Sequence, residues 1–318
     1  MKRPVLRLAR RDRLLLGAAV LLVVASVLPP IPLARTVVNH LVVFDITQSM
    51  YVTDLQRDGR AVSRLDAARE GLVKALAQLP CGSQIGLGIF SSRRTLLLLA
   101  PLEVCSNRTG LAQAIRQIDA RMAWEDASVI ARGVTSATDV AFELVQHPSV
   151  IFLTDGQESP PLAVIPDFDR PKGRITGLLV GVGGDVALPI PRLDRQARQI
   201  GWWSAGDVVQ RPARAGSARS QEHLSALQGE YLQALAQVTG LQYGRLDSDA
   251  ALVQMLTDHR FDRSLVVATD VRWLPAALAI LLLAGVFLPV PLPLHQRLPR
   301  WMSRWIARWR LRRNRHTL

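Results

Sequence analysis

Between residues 39 and 258 the chain alternates short, wholly apolar runs with longer stretches whose apolar positions recur every three or four residues. These are the marks of buried strands and amphipathic helices. The run "NHLVVFDI" predicts a first strand. After a polar loop, Leu65, Ala68, Leu72, Leu76 and Leu79 mark one helical face that stops at Pro80. "SQIGLGIFSS" and "RTLLLLAPL" are two further strands, separated by so little that they predict a hairpin at a sheet edge. Helices are predicted over about 108–121 and 128–146, then buried strands in "SVIFLTDG" and "RITGLLVGVG". A long helix from Ser220 to Thr239, a short strand "LQYGRL" and a closing helix from Asp249 to Asp258 complete the pattern.

Strands rich in Val, Ile and Leu without polar alternation are covered on both faces. The fold class is therefore α/β, a doubly wound, mostly parallel sheet with helices on both faces. No internal repeat is present, and the biased stretch "RPARAGSARS" at 211–220 reads as a mobile loop.

Composition changes the picture at the two ends. The net charge of +13 suggests a nucleic-acid surface until it is located along the chain. Residues 1–13 hold six basic groups against Asp12, residues 295–318 hold eight arginines and no acid, and the stretch between is balanced. A neutral middle lacks the clustered Lys and Arg that track phosphates. Each basic tail adjoins an uncharged apolar run, 14–34 at one end and 273–294 at the other, of bilayer-spanning length as helix. The positive-inside rule then puts both termini in the cytoplasm and the middle across the membrane. The expected organisation is a basic tail (1–13), a transmembrane helix (14–34), a periplasmic domain (37–262), a second transmembrane helix (273–294) and a basic tail (295–318) in a bacterial inner membrane. A cleaved signal peptide is the alternative for the first run, where Pro29, Pro30 and Pro32 cut the helix short. Trp301, Trp305 and Trp309 recur every four residues among arginines, which favours an amphipathic helix on the membrane surface.

Cys81 and Cys105 are the only cysteines. In the periplasm one bridge between them is expected, with two buried free thiols as the alternative. Zinc is disfavoured, since there is no CxxC pair and no neighbouring His.

The candidate chemistry sits in "VVFDITQSM", where Asp45, Thr47 and Ser49 stand on alternate positions after a buried strand. Ligands of open α/β sheets bind beyond the carboxyl ends of the strands. Asp155 in "FLTDGQES" follows another central strand at that edge, and Ser128 in "WEDASVIARG" stands at a helix start that can close over the same point. Alone, Thr47 or Ser49 reads as a helix cap and Asp155 as a turn residue. Together they form an all-oxygen set suited to a hard divalent cation such as Mg²⁺ or Ca²⁺. Nucleophilic catalysis lacks partners, since none of the six histidines stands in a triad context. "GVGGDV" is followed by Pro189 and Pro191 and reads as a turn, and no phosphate-loop lysine is present.

At these residues the chain resembles the von Willebrand factor A domains, whose metal-ion-dependent adhesion site is Asp-x-Ser-x-Ser, then a Thr at a helix start, then an Asp after a later strand. Here the pieces are Asp45-Ile46-Thr47-Gln48-Ser49, Ser128 and Asp155, with Thr and Ser exchanged at two positions. The resemblance covers about residues 37–262. It implies a cation held by Thr47, Ser49 and Ser128, with Asp45 and Asp155 direct or through water, and a coordination place left for an acidic residue of a protein partner. The stretches "RMAWEDASVIARG", "FLTDGQESPPL" and "LLVGVGGDVALPIPRLD" are also similar to the MxaL-type proteins encoded with methanol oxidation genes. That similarity implies a non-enzymatic factor for assembly or calcium loading of a periplasmic quinone-dependent alcohol dehydrogenase. A protein of the aerotolerance complexes associated with MoxR ATPases is the alternative on the same scaffold. Trp202 and Trp203 are either a docking patch or packing aromatics.

Overall fold

A computed structural model describes residues 9–287, apart from 58, 126, 161–163, 167, 169–170 and 209–220. The chain divides into two compact units, Ala34–Val267 and a second made of Met1–Leu33 with Ala268–Leu318. The first helix, α1, runs Arg10–Val27. Leu28 closes it by donating its N–H to the Val24 carbonyl, and Pro29 and Pro30, which cannot extend the ladder, follow. This corrects the helix expected over 14–34: by Ile31 the chain has entered strand β1 (Ile31–Val37).

The larger unit is built on β2 (Asn39–Asp45), every residue of which is buried. A small hairpin, β3 (Leu55–Arg57) and β4 (Arg60–Val62), leads into α2 (Arg64–Leu76), whose N-cap Ser63 accepts from the Asp66 N–H. Next come β5 (Gln84–Ser91), its antiparallel partner β6 (Arg94–Glu103), α3 (Val104–Gln117), α4 (Ile130–Glu143), β7 (Ser149–Thr154) and β8 (Gly177–Gly181). α3 begins four residues earlier than its apolar period suggests, because the Glu103 carboxylate caps it, accepting from Cys105 N and Ser106 N.

After β8 the chain makes short strands, β9 (Leu188–Pro189), β10 (Pro191–Leu193), β11 (Gln199–Trp202) and β12 (Leu224–Ser225), before α5 (Gly229–Thr239) and β13 (Gln242–Arg245). The helix expected from Ser220 therefore begins only at Gly229. Leu224 and Ser225 pair with β9, and Leu227 N and Gln228 N donate to the carbonyls of Gly184 and Asp155, so tertiary bonds claim the backbone a helix would need. α6 (Asp249–Leu256) and β14 (Arg263–Thr269) follow. In the other unit α7 (Trp273–Phe287) packs on α1, with Leu282 against Gly17. Among the described residues no helix is long and apolar enough to cross a membrane. α1 spans about 27 Å and opens on charged residues, and α7 spans about 22 Å. The loop at 211–220, residues 288–294 of the second expected span and the tryptophan-bearing tail lie outside the described residues.

The main sheet has six strands in the order β13-β8-β7-β2-β5-β6, parallel except for β6 at the edge. Alternate residues of β2 serve opposite layers. Val42 and Phe44 pack with Leu65, Leu72 and Leu76 of α2, Ile115 of α3 and Leu252 of α6. Leu41 and Val43 pack with Ile130 and Val134 of α4 and Leu232 and Leu235 of α5. Each such side chain contributes about 1.5–3 kcal/mol on leaving water, which is why the uniformly apolar run is stable only in the centre of a doubly covered sheet. Gly133 lets α4 approach β5, since a Cβ there would lie 2.2 Å from the Phe90 ring. Cys81 and Cys105 form a disulfide with Cα atoms 5.3 Å apart, tying the turn before β5 to the first turn of α3.

Candidate metal centre

Strands β2 and β7 are adjacent and in register, Phe44 opposite Leu153, so they end side by side. Their ends deliver Asp45 and Asp155 to one edge of the sheet, both fully buried. Asp45 Oδ1 accepts from Thr47 N at 2.9 Å and Thr47 Oγ1 at 2.7 Å, and its Oδ2 accepts from Thr154 Oγ1 at 2.6 Å. The chain then turns into a short 3-10 segment, Gln48–Tyr51, which sets Ser49 Oγ 3.2 Å from Thr47 Oγ1. Burial, and after it the charge of Asp155, push the Asp45 carboxyl up to about 7, against the hydrogen bonds from Thr154 and Thr47.

Ser128 lies two residues before α4 and is held by backbone alone. It exchanges N–H to carbonyl bonds with Ser159, at 2.9 and 2.7 Å, while Val129 N donates to Ser92 O. Glu158 caps α4 in place of a local side chain, accepting from Ala131 N at 2.9 Å and from the Tyr231 hydroxyl. The Ser128 hydroxyl is buried and has no hydrogen-bond partner among the described residues. It lines a cleft of about 380 Å³ together with Thr47 and Ser49. Three of the five expected residues thus meet at this cleft, with Asp45 hydrogen-bonded behind Thr47.

Asp155 is engaged by a residue that the motif does not contain. Arg64, the first residue of α2, is buried to 0% exposure and donates Nη1 to Asp155 Oδ2 at 2.6 Å. Its Nη2 and Nε bond Asp54 Oδ2 at 2.7 and 3.0 Å, and Nη2 also reaches the Ser225 carbonyl at 3.1 Å. Ser225 Oγ and Gln157 N complete the shell of Asp155, each at 3.0 Å. Burial lowers the Arg64 pKa, but Asp155 and Asp54 outweigh it and hold the group above its ordinary value. Gly183 (φ +138°) makes room for the guanidinium, since a Cβ there would lie 2.7 Å from Arg64 Nε. A signal for Arg64 does exist in the sequence: a cation at a helix N-terminus opposes the macrodipole and calls for carboxylates nearby.

A second unforeseen residue is Gln48, at a free position of the motif. Its Oε1 accepts from the Trp203 indole N–H at 2.9 Å and from Leu193 N at 3.2 Å, fastening the β10–β11 hairpin to the loop that carries Thr47 and Ser49. Trp203 lines the cleft, whereas Trp202 is 54% exposed.

Asp54 and Asp155 thus share the one Arg64 guanidinium, while the buried Asp45 is held by hydroxyl and backbone donors and has no ion pair among the described residues. Buried charges must be paired or neutralised. The donor set left over consists of hydroxyl and carboxylate oxygens, and the Ser128 hydroxyl lacks a partner among the described residues. Both features fit a hard divalent cation. The residues that would hold it are Thr47, Ser49 and Ser128, with Asp45 hydrogen-bonded to Thr47 and Asp155 bonded to Arg64.

Residues 40–157, the stretch from β2 through Asp155, match the family described as von Willebrand factor type A domain. That stretch is thus similar to a von Willebrand factor type A domain, and the described fold is α/β around a mostly parallel sheet. A search of curated proteins gave no match. Among solved structures it is similar to an aerotolerance-related membrane protein from Bacteroides fragilis, at 17% identity over 69% of this chain and 96% of that one, with TM-score 0.45. It is similar to BatB from Bacteroides thetaiotaomicron, at 18% identity over 69% and 97%, with TM-score 0.46. A von Willebrand factor type A protein from Catenulispora acidiphila is 12% identical over 80% and 51%, with TM-score 0.39.

Proposed function

We propose that this domain is a non-enzymatic, cation-dependent protein-binding module, held at a bacterial inner membrane and facing the periplasm. Mg²⁺ or Ca²⁺ bound by Thr47, Ser49 and Ser128, with Asp45 and Asp155 in support, would supply a Lewis-acidic point for one carboxylate of a partner protein. The observation that carries this reading is the Ser128 hydroxyl, buried without a partner among the described residues on the same cleft as Thr47 and Ser49. The charge deficit around Arg64 points the same way.

The membrane placement rests on the basic flanks and apolar runs at the two ends, of which α1 and α7 are the described parts. The disulfide fits an oxidising compartment. The client class comes from the resemblance to MxaL-type proteins: a periplasmic quinone-dependent alcohol dehydrogenase, assembled or loaded with calcium. The alternative is a membrane complex of the aerotolerance type, associated with MoxR ATPases.

Affinity capture from membranes in Mg²⁺ or Ca²⁺, run beside Asp45→Ala with captured proteins identified by mass spectrometry, separates these. A quinoprotein dehydrogenase recovered by the wild type only supports the assembly role. A MoxR-type ATPase or its companions would replace that client with the alternative, and partners unchanged by the substitution would refute the cation contact.

A further inference from the structure

A second cleft, of about 730 Å³, adjoins the first and shares Thr47, Gln48 and Trp203 with it. The charged residues of the two differ in sign. The described lining of the first includes Asp207 and Glu222 and no Lys or Arg. The second is lined by Arg121, Arg192 and Arg195, with Glu125 and Asp194.

Most of these charges are already answered locally. Asp194 accepts from the N–H groups of Gln196 and Arg198 and from the Arg198 guanidinium, each at 2.9 Å. Arg121 is paired with Asp119 at 2.6 Å, and Glu125 takes the Ser92 hydroxyl. Arg192 and Arg195 are exposed and belong to no ion pair among the described residues. The Arg192 guanidinium lies 4.9 Å from the centre of the Trp203 ring, and Arg195 sits at the tip of the β10–β11 hairpin. Gln48 ties that hairpin to Thr47 and Ser49 through Trp203 and Leu193, so two exposed guanidiniums stand beside that loop, Arg192 within electrostatic reach of Asp207.

We propose that this arginine-lined cleft is a second carboxylate site, and that the partner docks an extended acidic segment across both clefts. One carboxylate reaches the cation at Thr47, Ser49 and Ser128, and a neighbouring one meets Arg192 and Arg195. The inference rests on the cation reading above and adds the chemistry of the partner. The cation is set against buried aspartates, so the negative charge that a partner brings is met at the rim. Guanidiniums suit that task, because their planar fork matches a carboxylate in two parallel hydrogen bonds.

The test uses the full chain in detergent and fluorescein-labelled glycine-serine peptides carrying one aspartate, two aspartates at several spacings, or asparagines only. Anisotropy titrations in Mg²⁺ are expected to give the best two-aspartate peptide an affinity on the order of tenfold above the one-aspartate peptide. Arg192→Gln with Arg195→Gln should remove that advantage and keep the wild-type Mg²⁺-dependent thermal shift, which also reports that the variant is folded. Equal affinity of the one- and two-aspartate peptides for the wild type, or an advantage that survives in the double variant, overturns the proposal. An equally charged oligodeoxythymidine that binds as tightly would assign the arginines to polyanions in general and overturn it too. If the arginine-dependent advantage persists while Mg²⁺ changes nothing, the second cleft stands and the cation reading fails, so the two failures are distinct.

Discussion

Arg64 is the residue whose removal tests the electrostatics of the site most directly. Its guanidinium is buried and bonds Asp155 and Asp54, themselves 0% and 5% exposed, at 2.6 and 2.7 Å. Arg64→Gln keeps a polar side chain of related length and deletes the charge. Breaking one partner of a buried pair costs about 3–5 kcal/mol, because the remaining charge has lost its counter-ion without regaining water. In this domain Asp54 retains the Gly184 N–H at 2.8 Å and Asp155 retains Ser225 and Gln157, so the expected loss is about 4 kcal/mol. For a domain of this size that corresponds to a fall of roughly 8–16 °C in Tm. Thermal unfolding of the detergent-solubilised chain measures it. Asp155→Asn made in the Arg64→Gln background should return part of the loss, with a coupling of about 1–3 kcal/mol, since it removes a stranded charge. Mg²⁺ should raise the Tm of Arg64→Gln more than that of the wild type, because the charge deficit is larger there. A fall of less than about 2 °C, or strict additivity of the two substitutions, would refute the reasoning.

Three further predictions follow from individual contacts. Asp45→Ala should abolish stabilisation by Mg²⁺, which for the wild type at a hundredfold excess over Kd is about 2.7 kcal/mol; a full response in the variant would remove Asp45 from the site. His40 donates from Nε2 to the Leu256 carbonyl at 2.8 Å, and burial depresses its pKa to about 4. The unfolded chain binds the proton from about 6.5 downward and the folded chain only near 4, so stability falls as pH drops through that window, by about 3 kcal/mol. Denaturant titrations at pH 7 and 4 should show His40→Gln losing about that much less than the wild type, and parallel pH profiles would contradict it. Replacing Cys81 and Cys105 together by Ser opens a loop with sequence separation 24 and should lower stability by about 3 kcal/mol, the same drop that reductant produces in the wild type.

The sheet was legible because its information is local. Uniformly apolar runs such as Val42–Phe44 and Ile151–Leu153 are stable only between two helical layers, and the short link between Ser91 and Arg94 forces an antiparallel edge. Helix ends were less legible wherever another segment supplies the bonds. Glu103 draws the start of α3 back to Val104, and the carbonyls of Gly184 and Asp155 hold Leu227 and Gln228 out of α5. In the second unit Pro29 and Pro30 end α1 at Val27, where apolar content alone allowed a longer helix.

By itself the sequence determined the doubly wound α/β class, the placement of Asp45, Thr47, Ser49 and Asp155 after central strands, and an oxygen-only donor set, since each depends on period, spacing and residue type. Tertiary structure alone decided what surrounds those residues. Arg64 lies 91 positions from Asp155 and Gln48 lies 155 from Trp203, separations across which no periodicity carries information. Charge balance and the join between the two clefts therefore belong to the packed fold, where buried groups must find partners or leave a place for one.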